Sequence, residues 1–279
     1  MRKLIINADD LGISKDVDDV IEECIKKGVV TSSTLMANAP AFDDGVRIAK
    51  LYSSVSIGVH LNIIQFAPLT NVDVFKKHGI VGDDGQFIVR AVFHVPIDEE
   101  LKQAIFEEWD AQISTVKAAG VVPTHCDSHQ HTHTIPALRD TLCRVLDKHG
   151  IRSVRRTMAP SIRLALRLKK RPQITLNSSK SFATKKHNII YRRYRYIVNY
   201  FVILRWNSMM SKHYKVTDGF FALRYFLFDK DVLNLGGENA TLELMCHPGH
   251  KSYQTETDYL MSKNGWLPED YKLISYKEI

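Results

Sequence analysis

Residues 124–133 carry an unusual density of polar chemistry: Thr124-His125-Cys126-Asp127-Ser128-His129-Gln130-His131-Thr132-His133, with four imidazoles and one carboxylate in ten residues. If residues 122–129 form a β-strand, its alternation puts His125, Asp127 and His129 on one face. Neutral imidazole and carboxylate are ligands of divalent ions such as zinc, and a further acid commonly orients a ligating histidine. A lone histidine is more often simply buried and satisfied, but this cluster predicts a metal site.

The composition of the whole chain is that of a globular protein. Its 279 residues are 44% hydrophobic and 25% charged, which suits one large α/β domain or two smaller ones. No apolar run approaches the length of a membrane span, and Met1-Arg2-Lys3 leads directly into a β-like run, which predicts a cytoplasmic protein. The four dispersed cysteines lack CxxC spacing and indicate reduced thiols.

Short apolar runs alternate with amphipathic segments along the chain. Strands are predicted at residues 4–8, 31–37, 55–62, 122–129, 153–156, 220–223 and 241–246, and helices at 16–27, 42–51, 98–119 and 136–149. A long loop with a short helix is expected at 66–97, and a final helix with a terminal segment at 253–279. This alternation is typical of a parallel sheet built from βαβ units.

Candidate catalytic groups lie at the ends of five of these predicted strands: Asp9, Asp10, His60, His129, Arg155 and His247. Each of these residues alone is weak evidence for an active site. An acidic pair before a glycine is common at a helix N-cap, and Arg155 could make an ordinary salt bridge. A parallel α/β barrel, however, assembles its active site from the C-terminal ends of its strands. Adjacent aspartates there can divide two tasks, one holding a cation and one facing a water, which predicts metal-assisted hydrolysis.

Five motifs together resemble the YdjC-like carbohydrate deacetylases, which include chitooligosaccharide deacetylases. The motifs are Asn7-Ala8-Asp9-Asp10-Leu11-Gly12, Thr31-Ser32-Ser33-Thr34, Gly58-Val59-His60-Leu61, Pro123 to His131 and Met245-Cys246-His247-Pro248. The resemblance covers about residues 1–160 and 217–265. It implies an α/β fold, a distorted TIM-like (β/α) barrel of the glycoside hydrolase/deacetylase type. It also implies a metal-dependent hydrolase that removes an acetyl group from an N-acetylated sugar.

The resemblance also assigns a divalent metal ion to the site. By motif position it implies Asp10, His60 and His129 as the metal ligands. The two imidazoles favour Zn²⁺, whereas the family is often associated with Mg²⁺, so both ions stay open.

The catalytic roles come from the resemblance as well. By analogy with the related NodB-like polysaccharide deacetylases, it implies Asp9 as general base, His247 as general acid and Arg155 as the group that orients the base. The remaining polar residues of the histidine motif are expected to support the ligands or face the substrate: His125, Asp127 and His131.

The positive charge is concentrated in the middle of the chain. Eighteen of the 38 Lys and Arg lie within residues 148–217, which contain no Asp or Glu, so the remaining 20 face 31 acidic residues elsewhere. We predict a single deacetylase-like domain, residues 1–279, with a basic, aromatic-rich insertion at about 161–216. A solvated helical insertion is favoured over nucleic-acid binding, because no recognised nucleic-acid module is present.

Several alternatives stay open from the sequence. The same site could hydrolyse a phosphoester or glycosidic bond, and a non-catalytic binder of nucleic acid or a membrane surface could use the basic segment. That segment could also favour an acidic glycan or an anionic membrane surface for the enzyme itself. The sequence is compatible with N-acetylated sugars of different lengths and with a homo-oligomer.

Overall fold

The computed structural model describes residues 1–157, 201–228, 233, 237–262 and 271–279. Most of the predicted basic insertion, residues 161–200, lies outside the described residues, so the domain boundaries stay a prediction. Within the described part, residues 201–210 are helical.

Seven parallel strands in the described ranges form one curled sheet. They are β1 Arg2–Leu11, β2 Ser32–Leu35, β3 Ser56–Leu61, β4 Cys126–Ser128, β5 Gly219–Ala222, β6 Thr241–Cys246 and β7 Tyr271–Leu273. The order across the sheet is β4-β3-β2-β1-β6-β5, and β7 pairs with the first residues of β1. Beyond β4 the pairing continues through isolated bridges from Cys126 to Val154 and from Ser153 to Lys215. The fold is the expected α/β, distorted TIM-like barrel.

Helices connect the strands. They include α1 Lys15–Lys26, α2 Phe42–Leu51, α3 Val72–Lys77, α4 Glu99–Ala118, α5 Arg139–His149, α6 Leu223–Phe228 and α7 Gln254–Met261. Asp98 caps α4 by accepting a hydrogen bond from the Leu101 amide at 2.9 Å, and Trp109 and Ile113 on its inner face are fully buried. None of the helices in these described ranges is long and apolar enough to cross a membrane.

Strand β1 separates the hydrophobic core from the barrel interior. Leu4, Ile6 and Ala8 belong to the main hydrophobic cluster. Ile5 instead packs with Ile274 and Tyr276 in a small separate cluster. Because side chains alternate along a strand, Asn7 and Asp9 follow Ile5 on the interior face, which rises from apolar to polar toward the site.

Several element boundaries differ from the sequence predictions. β1 does not end before the acidic pair but runs through Asp9 and Asp10, with a register shift between Ala8 and Leu11. β4 is three residues long rather than eight, and residues 153–156 make bridges instead of a strand. The missed strand β7 pairs with β1 across more than 260 residues, and its three residues give too little alternation to be recognised.

Candidate active site

One aspartate and two histidines from separate elements converge at the C-terminal end of the sheet. Oδ1 of Asp10 lies 2.8 Å from Nδ1 of His129 and 3.1 Å from Nε2 of His60. One donor atom from each of the three residues lies within 4.8 Å of the others. Asp10 has a φ of 69°, in the left-handed region, where β1 bends toward Gly12. The structure thus brings together the three residues expected to bind metal.

The hydrogen-bond geometry around His60 suits a cation. Nδ1 of His60 lies 2.6 Å from Oδ1 of Asp127, and an ionised carboxylate can only accept, so Nδ1 carries the hydrogen. The Nε2 lone pair of a neutral ring then faces the Asp10 carboxylate, and two acceptors at this distance need a proton or a cation between them. Burial alone would lower the pKa of His60, but Asp127 and Asp10 outweigh it and raise that pKa to about 10.

Asp9 is held by a buried two-point ion pair. The Arg155 guanidinium donates from Nη2 to Oδ1 of Asp9 at 2.6 Å and from Nη1 to Oδ2 at 2.7 Å. Asn7 adds a third hydrogen bond to Oδ1 at 2.8 Å. Burial acts to raise the pKa of Asp9, but the Arg155 charge and hydrogen bonds hold that pKa well below its usual range. Asp9 is therefore an ionised carboxylate beside the Asp10 cluster.

Arg155 is also bound to two further carboxylates. Its Nη1 pairs with Oδ2 of Asp127, and its Nε donates to Oε1 of Glu243 at 2.8 Å. Glu243 lies in β6 and is fully buried, and its other oxygen accepts from the Tyr276 hydroxyl at 2.5 Å. Glu243 was not among the residues predicted for the site, although an acidic residue inside an apolar strand is a detectable signal.

Two histidines enter the site from the segment after β6. His247 stacks on Tyr253 with ring centroids 4.4 Å apart, and its amide donates to Glu256 at 2.8 Å. Burial opposes protonation of His247, but Glu256 and Asp9 outweigh it and raise the pKa of His247. His250 was not predicted from the sequence, and its Nε2 lies 3.2 Å from Oδ2 of Asp10.

The family model for YdjC-like proteins matches residues 3–271, which is nearly the whole chain. The chain belongs to the YdjC-like family.

Curated relatives of this YdjC-like protein match about half of the chain. "Carbohydrate deacetylase" from Halalkalibacterium halodurans is 32% identical over 150 residues, which are 53% of this chain and 62% of the relative. "Carbohydrate deacetylase" from Clostridium beijerinckii is 34% identical over 153 residues, 53% of this chain and 58% of the relative. The chain thus spans about three-fifths of the length of these relatives.

A solved structure shares the fold over the full length. The crystal structure of a candidate cellobiose-phosphate cleavage protein from Enterococcus faecalis superposes with a TM-score of 0.64 and 20% identity. The match covers 99% of this chain and 98% of the other. At this identity the likeness concerns the fold.

The other polar residues of the histidine motif occupy different positions in this YdjC-like protein. Asp127 lies between His60 and Arg155 and contacts both. His125 is fully buried against Tyr276, so it points away from solvent. His131 is half-buried beside Phe220. That burial, together with the nearby Arg155 charge, lowers the pKa of His131 to about 3. Of these three, Asp127 alone touches one of the three clustered metal-binding candidates within the described contacts.

Proposed function

We propose that this protein is a metal-dependent carbohydrate deacetylase that removes the acetyl group from an N-acetylated sugar or oligosaccharide. The observation that carries the proposal is the convergence of Asp10, His60 and His129 next to an ionised Asp9 that Arg155 holds in place. The curated relatives named carbohydrate deacetylases support the reaction and the substrate class.

In this proposal Asp10, His60 and His129 hold the divalent ion. When bound, the ion lowers the pKa of a water molecule and polarises the acetyl carbonyl. One carboxylate with two imidazoles leaves coordination positions for water and substrate. The two imidazoles favour Zn²⁺ over Mg²⁺. A metal titration that compares the affinities of the protein for the two ions distinguishes these alternatives.

Asp9 and His247 would move the protons. Asp9 is ionised, and it takes a proton from the water that attacks the acetyl carbonyl. His247 has a raised pKa, so it can carry the proton that the departing amine requires when the C–N bond breaks. The products are acetate and the free amine of the sugar. Arg155 keeps the Asp9 carboxylate in one orientation during both steps.

Acetate release tests the proposal. The purified protein is incubated with a panel of N-acetylated saccharides, before and after chelation and after add-back of Mg²⁺ or Zn²⁺. Metal-dependent acetate release is the expected result. Release of phosphate or of a new reducing end would move the function to another hydrolase reaction, and protein that binds no metal would overturn it.

The adjacent aspartates give a sharper version of this test. Asp10→Asn should abolish metal binding, whereas Asp9→Asn should keep bound metal and lose acetate release. Asp83→Asn, at an exposed loop position, is the matched control and should behave as wild type. If Asp9→Asn keeps full activity, Asp9 is not the base.

One further proposal depends on the sequence. Binding of an acidic glycan or an anionic membrane by the basic segment is supported by its charge. Replacing Arg192, Arg193 and Arg195 by Glu should weaken that binding at low salt with unchanged metal content, and unchanged binding would refute it.

A further inference from the structure

Tyr276 reaches the barrel interior beneath the site. It begins the 3-10 turn Tyr276–Glu278, which Ser275 and Glu278 close with reciprocal side-chain-to-backbone hydrogen bonds. Its amide donates to the Ser56 hydroxyl at 3.1 Å, and its side chain packs with Ile5 and Ile274. The backbone hydrogen bond and the packing against these neighbours therefore fix the position of the Tyr276 ring. The ring lies at the apolar end of the interior face of β1.

A first chain of contacts leads from Tyr276 to Asp9 through Arg155. The Tyr276 hydroxyl donates to Oε2 of Glu243 at 2.5 Å, and Oε1 of Glu243 accepts from Nε of Arg155 at 2.8 Å. The opposite edge of the same guanidinium holds both oxygens of Asp9. Because a guanidinium is planar and rigid, the direction of its Nε edge also sets the direction of the two nitrogens that bind Asp9.

A second chain leads from the ring of Tyr276 to Asp9 through His125. The two rings are stacked, with centroids 3.7 Å apart and planes at 6°. Nε2 of His125 lies 3.3 Å from Oδ1 of Asn7, and Nδ2 of Asn7 donates to Oδ1 of Asp9 at 2.8 Å. The Ser32 hydroxyl also donates to Oδ1 of Asn7, at 2.5 Å, which fixes the amide with its NH₂ toward Asp9.

His125 has little room to move in this second chain. A Cβ at Gly58 would lie 2.7 Å from Cε1 of His125 and 2.8 Å from both ring nitrogens. The absence of a side chain at Gly58 is thus what accommodates the ring. With Gly58 and Tyr276 both against it, the imidazole transmits the position of the Tyr276 ring to Asn7.

We propose that Tyr276 is a positioning residue for Asp9, acting through Glu243 and Arg155 by its hydroxyl and through His125 and Asn7 by its ring. The inference rests on the proposed function in that Asp9 is taken as the base. In the described contacts the Tyr276 hydroxyl donates to Glu243 and touches none of the three proposed metal ligands.

Tyr276→Phe separates positioning from packing, because it keeps the stacked ring and removes the donor to Glu243. With Oε2 of Glu243 unpaired, Glu243 and Arg155 can shift. The two hydrogen bonds from the Arg155 guanidinium to Asp9 then weaken. We expect kcat for acetate release to fall about tenfold at unchanged KM and unchanged metal content, the size typical of supporting contacts around a site. A role in packing alone predicts wild-type kinetics at temperatures well below unfolding.

A spectroscopic readout does not depend on activity. The Nε–H resonance of Arg155 in ¹⁵N-labelled protein is assigned by its loss in Arg155→Lys. Tyr276→Phe should shift this resonance and speed its exchange with solvent about tenfold, since Glu243 no longer holds the Nε–H in one geometry. An unchanged resonance would overturn the inference.

Tyr271→Phe is the matched control. Tyr271 is also buried, five residues earlier in β7, and its hydroxyl donates to the Leu233 carbonyl at 2.6 Å. The control should leave kcat and the Arg155 resonance unchanged, and equal losses in both variants would overturn the inference. If wild-type protein releases no acetate from any saccharide, the proposed function fails. The Arg155 resonance still decides whether Tyr276 positions the Arg155 guanidinium that binds Asp9.

Discussion

Asp127 joins the two halves of the candidate site: its Oδ1 lies 2.6 Å from Nδ1 of His60, and its Oδ2 pairs with Arg155. The first contact turns Nε2 of His60 toward Asp10, and the second supports the guanidinium that holds Asp9. Thr34 also donates to Oδ2 of Asp127, at 3.1 Å. A single fully buried carboxylate therefore orients both a proposed metal ligand and the partner of the proposed base.

Asp127→Asn should weaken metal binding by about ten- to a hundredfold, the range for groups that orient a ligating histidine. An amide has one acceptor oxygen, so its NH₂ must face either the Nδ1–H of His60 or the Arg155 guanidinium, and both are donors. Competition with a chelating dye on metal-free protein measures the Kd. Asp83→Asn, in an exposed loop, is the control, and an equal Kd in both variants would show that Asp127 does not orient His60.

Asp18 predicts a pH dependence of stability. Its Oδ1 accepts from the Gly12 amide at 2.7 Å, while its Oδ2 has no hydrogen-bond partner among the described residues. Burial is the main cause that raises the pKa of Asp18 to about 7, and the nearby Asp44 charge adds to it. The folded protein thus binds a proton that the unfolded chain releases above about pH 4. The stabilising contribution is complete below that pH and is lost as the pH rises through about 7.

Asp18→Asn should remove this dependence, because the amide oxygen still accepts from Gly12 and the side chain cannot ionise. The wild-type free energy of unfolding should fall by up to about 1.4 kcal/mol per pH unit in this window relative to the variant. Urea unfolding at pH 5 and pH 8 measures the difference. Asp19→Asn removes an exposed carboxylate one residue away and should follow the wild-type curve; parallel curves for all three proteins would contradict the assignment.

The convergence of the site was predictable because parallel strands end at one edge of a sheet. Asp9, Asp10, His60 and His129 were placed by that rule, and the structure brings them together although β1 continues through both aspartates. The rule depends on the end of the strand at which a residue lies, and not on the exact register between strands. The register shift between Ala8 and Leu11 therefore does not disturb the outcome.

The supporting contacts were not predictable, since they depend on register and on distant segments. Glu243 meets Arg155 across 88 residues, and Tyr276 meets Glu243 from a turn that follows the unrecognised strand β7. His250 is three residues from His247, yet only the fold directs its Nε2 toward Asp10. Periodicity reports which face a side chain occupies, whereas these pairings require the three-dimensional path of the chain.

Gln130 and His131 lie in consecutive left-handed conformations directly after His129, with φ values of 50° and 59°. The left-handed conformation destabilises a non-glycine residue by roughly 1–2 kcal/mol, because Cβ crowds the following carbonyl oxygen. Glycine avoids that contact but has a larger loss of backbone entropy on folding. Gln130→Gly should therefore stabilise the protein by up to about 1 kcal/mol, measured as the urea midpoint at constant m value.

Gln103→Gly gives the matched control with the opposite sign. Gln103 is an exposed residue in α4, where glycine costs roughly 1 kcal/mol. If Gln130→Gly instead destabilises the protein as much as Gln103→Gly does, the Gln130 side chain makes contacts worth more than the backbone strain. If it stabilises as expected, the strain next to His129 is a real cost of placing the histidine motif at the mouth of the barrel.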